Sequence, residues 1–359
     1  MESKVSNLDY SGHKIFIGLD VHLTNWKATI MLEETSFKTF SLDPSPALLR
    51  HYLEKHFPGG EYFSAYEAGF TGFSTHRSLE QNGINNIVVN PADIPTTDKE
   101  RKQKEDKRDS RKIANSLRNG QLQAIYIPKV EMEELRSLVR YRKTLVKEIS
   151  RNKARVKSFL YRNGISIPLE LSGASKYWSH NFTNWLKTVK LTTDFGHIVL
   201  MKTLEIVIHL RTTLLSITKD IKRIVKGDAQ YTKAIADLKS IPGIGFIVAV
   251  TLLTEIEEIC RFKDLDHLCS FIGLVPSTNS TGDKDRTRGI TPRSNKPLRE
   301  VLIESAWVAI RNDSSMTLAY SNLCRRMEPN KAIIRIAKKL LNRIRYVLKN
   351  NTTYEIKSV

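Results

Sequence analysis

Cysteine is scarce: Cys260, Cys269 and Cys324 are the three thiols in 359 residues. They are too few and too scattered for a disulfide framework or a zinc site. Long apolar runs are also missing. The longest, around Phe246–Leu253, is broken by Thr251 and falls well short of the roughly 20 residues a bilayer requires. The opening MESKVSNLDYSGHK has no apolar stretch of the kind a signal peptide carries. Acidic residues are the third shortage, 38 against 57 lysines and arginines, a formal charge of +19. Such an excess repels itself unless a polyanion cancels it, which points to nucleic acid before small substrates. With 40% hydrophobic and 26% charged residues, the composition is that of a folded protein rather than a disordered one. The expectation is a cytoplasmic protein that faces nucleic acid and no membrane.

The patterning divides the chain in three. Over 1–128, short strands (KIFIGLDVH, NWKATIML, SFKTFSL, EYFSAYEAG, INNIVVNP) alternate with the helices PALLRHYLEKHF and STHRSLEQN. Three strands in succession, then strand–helix alternation, predict a mixed sheet with flanking helices. Over 129–228 the spacing becomes 3-4. One seam runs Leu135, Leu138, Arg142, Leu145, Ile149, Asn152, Val156, Phe159. A second runs Leu200, Thr203, Val207, Leu210, Leu214, Ile217, Ile221, Ile224. Two such seams predict an antiparallel helical hairpin or a coiled coil between subunits. Over 229–359 helices return, broken by turn chemistry at SIPGIG and VPSTNSTGDKD. The fold class expected is therefore α/β plus all-α.

Four acids are candidates for chemistry. Asp20 ends the strand IFIGLD and Glu67 ends EYFSAYE, and the C-terminal ends of strands are where open α/β sheets place ligands. Asp106 and Asp109 are three apart in KEDKRDSRKIANSLR and share a helix face. Clustered carboxylates repel, and a hard divalent cation, Mg²⁺ or Mn²⁺, relieves that repulsion and engages phosphate oxygens. From Lys99 to Arg118 nine basic residues stand against four acidic ones, with Lys102, Lys107, Arg108 and Arg111 placed to meet phosphate. Spacing alone also fits an ordinary charged helix with i,i+3 and i,i+4 pairs.

Two later segments carry further signals. SIPGIG, followed by the helix FIVAVTLLTEI, resembles a helix-hairpin-helix element, in which Gly243 and Gly245 would present backbone N–H groups to DNA. The stretch PSTNSTGDKDRTRGITPRSNKPLR holds five serines and threonines between Ser277 and Thr287. Lys284, Arg286, Arg288, Arg293 and Arg299 lie among and after them, and Gly282 and Gly289 predict a loop. A hydroxyl there, Ser280 or Thr281, is a candidate phosphodiester nucleophile, with arginines stabilising the charge that develops. A polar loop that binds phosphate passively has the same composition.

With these residues in view, the chain resembles bacterial transposases of the insertion sequence 110 family almost end to end. GLDVH, SAYEAGFTG and KEDKRDSRKIA match the acidic segments of that family's DEDD domain, a RuvC-like variant of the ribonuclease H fold. SIPGIG and FIGLVPSTNSTGDKDRTRGITPRSNKPLREVLIESAW match its second domain. The resemblance implies that Asp20, Glu67, Asp106 and Asp109 hold Mg²⁺ and that a serine of the second domain becomes linked to cleaved DNA. It also implies a helical segment that builds a homodimer or homotetramer, and a structured guide RNA as a partner beside DNA. In that family the serine commonly stands directly before a glycine. Here Thr281 precedes Gly282 and Ser280 stands one residue earlier, so Ser280 is taken as the nucleophile and Thr281 as the alternative. Likewise Ser294-Asn295 replaces the usual Gly-Asn. The competing readings are a RuvC-like nuclease of the junction-resolvase type and a non-catalytic nucleic-acid-binding protein.

Overall fold

The computed structural model describes residues 9–33, 35–95, 106–173, 175–281, 284–291 and 293–355; for 106–108, 277–281 and 284–288 only the backbone course is described. Lys102 lies outside the described residues. The chain divides into two compact units, Met1–Ile127 and Pro128–Val359.

In the first unit β1 (Lys14–Val21), β2 (Trp26–Met31) and β3 (Ser36–Leu42) form an antiparallel meander. Then follow α1 (Pro46–His56), β4 (Glu61–Glu67), α2 (Ser74–Gln81), β5 (Asn85–Val89) and α3 (Asp106–Arg118). The five strands make one mixed sheet in the order β3-β2-β1-β4-β5, with β4 parallel to both β1 and β5. Helix α1 starts where Ser45 accepts a hydrogen bond from the Leu48 N–H and Pro46 supplies a preset φ. Ile15, Ile17 and Leu19 of β1 pack on Leu49, Leu53 and Leu79 of α1 and α2. On the opposite face Ala65 and Val89 pack on Ile113 of α3. Burial on both faces is why β1 reads as a nearly continuous apolar run from Ile15 to Leu19.

The second unit is helical apart from one pair of strands. Its first elements are α4 (Val130–Arg162), α5 (His180–Thr188) and α6 (Asp194–Lys226). Helices α4 and α6, 33 residues and therefore about 50 Å each, pack antiparallel. Val139 shares a cluster with Ile221 and Val225, and Val156 and Leu160 share one with Leu200 and Leu204. The buried residues on α6 are Leu200, Leu204, Val207, Ile221 and Val225: three lie on the predicted seam, and Leu204 and Val225 replace its Thr203 and Ile224. Leu204 is buried because Phe182 and Leu186 of α5 join its cluster.

Next come α7 (Ala229–Lys239), α8 (Phe246–Ile256) and α9 (Leu265–Ile272). Residues 249–256 of α8 are buried all round, so it is the central helix of the core. Strands β6 (Pro276–Thr281) and β7 (Lys284–Ile290) follow, then α10 (Lys296–Asn312), α11 (Ser314–Cys324) and α12 (Pro329–Asn350). The serine- and threonine-rich stretch is thus not the loop its glycines predicted. β6 and β7 pair antiparallel, Asn279 opposite Arg286 and Thr281 opposite Lys284. Thr278, Thr281, Thr287 and Ile290 are β-branched and favour extended backbone, which outweighs Gly289 inside the strand.

Two buried acids brace this unit. Glu255, 2% exposed, accepts both Arg140 guanidinium bonds (2.7 and 2.8 Å) and one from Asn295 Nδ2 (2.8 Å). Asp313 caps α11, accepting from the Met316 N–H (3.0 Å), the Ser315 hydroxyl (2.8 Å) and the Arg343 guanidinium. Burial raises the Asp313 carboxyl, but Arg343, the Met316 N–H and Ser315 outweigh burial and hold it below its ordinary 3.8. A carboxyl depressed in the folded state contributes stability above its unfolded value and loses it as pH falls through the folded one. Asp313→Asn is expected to cost about 3 kcal/mol at pH 7. The difference from wild type should shrink as pH drops below 3.8. Denaturant midpoints at pH 7 and at low pH measure both, and an equal loss at each pH would contradict the assignment. Among the described residues no helix is long and apolar enough to cross a membrane.

Candidate active site

The site in the first unit begins with a row of small side chains. Thr39, Thr29, Gly18 and Ala65 lie side by side across four strands. Helix α3 crosses this row in direct backbone contact. A Cβ built at Gly18 would stand 2.1 Å from Ser110 O and 2.3 Å from Ala114 N, so only glycine admits the helix here. Ser110 is fully buried, and its hydroxyl lies 2.9 Å from that of Thr29, which is in turn 2.9 Å from that of Thr39. These contacts anchor the first turns of α3.

Because side chains alternate along a strand, Asp20 lies on the same face as Gly18, and Glu67 on the same face as Ala65. On α3 the residue immediately before Ser110, Asp109, meets them. Asp20, Glu67 and Asp109 line one cleft of about 150 Å³, closed at one side by Ala68–Thr71. His22 Nε2 lies 3.1 Å from Asp20 Oδ2 and restrains that carboxylate. Asp106 opens α3, one turn ahead of Asp109; its side chain lies outside the described residues, as do those of Lys107 and Arg108. Arg111 is exposed on α3.

All-oxygen donors at strand ends suit a hard divalent cation rather than zinc or copper. Among the described residues no group of three acid, histidine or cysteine side chains is already arranged as a metal cage. The donor chemistry fits such an ion; side-chain rotation would still have to complete the coordination.

In the second unit Ser280 and Thr281 end β6, opposite Asp285 and Lys284 of β7. Of Lys284, Arg286 and Arg288 only the backbone, on β7, is described. The base of these strands is firmly tied. Thr291 N–H donates to Val275 O (3.0 Å) and Asn295 N–H to Phe271 O (3.0 Å). Gly273, at φ +83°, leaves no room for a Cβ, which would lie 2.3 Å from Ser294 Cβ. Arg299 donates to Thr291 O (2.8 Å) and Gly273 O (3.5 Å), so its guanidinium braces the hairpin base. Arg293 is exposed. Gly243, at φ +93°, lies against α10, where a Cβ would be 2.6 Å from Ser305 O. Its role in the structure is close helix packing. Gly245 caps α8 and has open space around it.

Sequence reasoning missed Gly18, Ser110 and Thr29, which place Asp109. The one signal on offer was a glycine inside a buried strand, which marks close approach of another backbone. It also missed Glu255, whose position in an apolar helix was the available sign.

Comparison with known proteins covers both units. Residues 17–163 match the DEDD transposase model of IS110 elements, and residues 236–321 match the transposase IS116/IS110/IS902 family. The chain is 30% identical to the y4qE protein of Sinorhizobium fredii over 246 residues, 68% of this chain and 58% of that protein. It is 25% identical to the transposase for insertion sequence element IS1533 of Leptospira borgpetersenii over 304 residues, 82% of this chain and 85% of the relative. To the transposase for insertion sequence element IS1111A of Coxiella burnetii it is 25% identical over 286 residues, 78% of this chain and 75% of the relative. Two models of one family, matched in order along most of its length, establish that this chain belongs to the IS110 family of insertion-sequence transposases.

Proposed function

We propose that this transposase cuts and rejoins DNA with two cooperating groups, the carboxylate cleft of Asp20, Glu67, Asp106 and Asp109 and a covalent hydroxyl nucleophile, Ser280. The observation that carries the proposal is the convergence of three acids, remote in sequence, on one cleft at the ends of β1 and β4. A passive binder gains nothing from gathering like charges there, since their repulsion costs stability. Asp20, Glu67 and Asp109, with Asp106, would hold Mg²⁺ or Mn²⁺, which when bound polarises phosphate oxygens and lowers the pKa of a bound hydroxyl or water.

The chain's own residues do the rest. Ser280 Oγ attacks phosphorus; the Oγ–P bond forms as the P–O bond to the departing strand breaks, and the serine proton passes to the leaving oxygen, which departs as a hydroxyl. Attack by a second strand's hydroxyl on the same phosphorus reverses the step, frees Ser280 and completes the exchange. Lys284, Arg286, Arg288 and Arg293 are cations suited to the developing charge. The open space at Gly245 favours a helix-hairpin-helix contact with phosphate.

Assembly is supported by α6. Phe195, Ile198, Val199 and Ile206 form one outer stripe and are 48–79% exposed, an apolar seam fit for a second copy in a homodimer or homotetramer. The charge of +19 leaves capacity for a structured guide RNA as well as DNA.

The test is incubation of the full chain with DNA carrying the ends of its element, with and without RNA transcribed from the element's flank, followed by denaturing electrophoresis. A covalent protein–DNA adduct is expected from wild type and Thr281→Val and not from Ser280→Ala. Cutting without any adduct would overturn the covalent step and favour a RuvC-like nuclease. If Asp106→Asn cuts as fast as wild type, Asp106 leaves the tetrad.

A further inference from the structure

Helix α12 buries Ala332, Ile336, Leu340, Leu341, Ile344 and Val347 in the core of the second unit. Its other side is entirely cationic or neutral: residues 329–350 contain seven lysines and arginines and no acid. Arg343 is taken up by Asp313. Lys338 reaches only the 88% exposed Asp266, at 3.9 Å. Among the described residues Lys331, Arg335, Lys339, Arg345 and Lys349 have no acidic partner.

At 100° per residue Lys331, Arg335, Lys338, Arg345 and Lys349 fall within an arc of about 80°, and they span about 27 Å of helix. That length of duplex carries about eight phosphates on one strand. Tyr346, 58% exposed, stands beside the stripe and adds a phenolic hydrogen-bonding group. A membrane-surface helix would interleave exposed apolar residues with its cations; here the apolar face is already inside the protein. B-form DNA has a major groove about 12 Å wide that receives the outer half of a helix, whereas the A-form groove is deep and narrow.

We infer that Lys331, Arg335, Lys338, Arg345 and Lys349 form a sequence-independent docking stripe for duplex DNA. The inference rests on the DNA-recombination reading and adds a surface that holds the duplex by its phosphates. Because each phosphate contact releases counterions, the stripe has a signature that a purely structural helix lacks.

The test is fluorescence anisotropy of the full chain on a random-sequence DNA duplex, and on an RNA duplex of the same sequence, across a salt series. Three changes on the stripe, Lys331→Gln, Arg335→Gln and Lys349→Gln, all at exposed positions, are combined. A control combines Lys187→Gln, Lys190→Gln and Lys219→Gln, also exposed and equal in charge lost. The stripe variant should flatten the slope of log affinity against log salt by about 2.7, at 0.9 per contact, and the control should not. Equal slopes for wild type and stripe variant, or equal changes in stripe and control, would overturn the stripe alone. A loss confined to an RNA duplex would overturn DNA as its occupant. Wild type that binds no DNA at low salt would instead overturn the recombination reading. Denaturant midpoints matching wild type show that each variant is folded.

Discussion

Asp20→Asn is expected to reduce DNA cleavage by about 100-fold or more while folding and DNA binding persist. Residues that merely orient a metal ligand cost 10- to 100-fold when changed, so a ligand itself should cost at least as much. The substitution preserves shape and removes only the charge. Asp20 lies at the end of β1 with its side chain 20% exposed, and its Oδ2 lies 3.1 Å from His22 Nε2. Cleavage rates with Mg²⁺ and Mn²⁺, set against DNA affinity from anisotropy, separate chemistry from binding. Cleavage at the wild-type rate would remove Asp20 from the site and leave the cleft without its central acid.

Gly18→Ala should show nearly as large a loss for a different reason. The added methyl would collide with Ser110 O and Ala114 N, both backbone atoms of α3, which cannot rotate out of the way. The helix must lift off the sheet. Overpacking of this kind costs about 1–3 kcal/mol. Lifting also breaks the 2.9 Å contact between Ser110 and Thr29 and carries Asp109 away from Asp20 and Glu67. A displacement of about 1 Å at a reacting centre is worth about 100-fold in rate. The variant should therefore melt a few degrees early yet stay folded at 25 °C, with most of its cleavage gone. A thermal melt and a cleavage assay on one preparation check both. Wild-type cleavage in Gly18→Ala would mean that the closeness of α3 to the sheet does not set the site.

Much of this could be read before any coordinates. Each predicted strand and helix of the first unit is present with closely similar limits, because hydrophobic periodicity and turn residues act over a few neighbours. Asp20 and Glu67 were legible because a strand's C-terminal end is a position within one element. Their proximity to Asp109 was implied by the family resemblance and not by spacing. It depends on α3 lying on Gly18, a contact between elements far apart in sequence. Arg299 read as a phosphate cation from its place in a basic segment, and only the fold aims it at Thr291 O and Gly273 O. Gly243 read as a phosphate-facing turn, and only α10 gives it a packing role. The β6–β7 strands were misread because glycine content was weighed above the β-branched residues between the glycines.

Sequence alone determined the charge, the order of the elements in the first unit and the positions of Asp20 and Glu67 at strand ends, since each follows from composition or from one short segment. Tertiary structure decided which of these residues meet. Side chains from β1, β4 and α3 share a cleft only when a helix can approach a strand closer than any Cβ permits, and that closeness is a matter of excluded volume between distant parts of the chain.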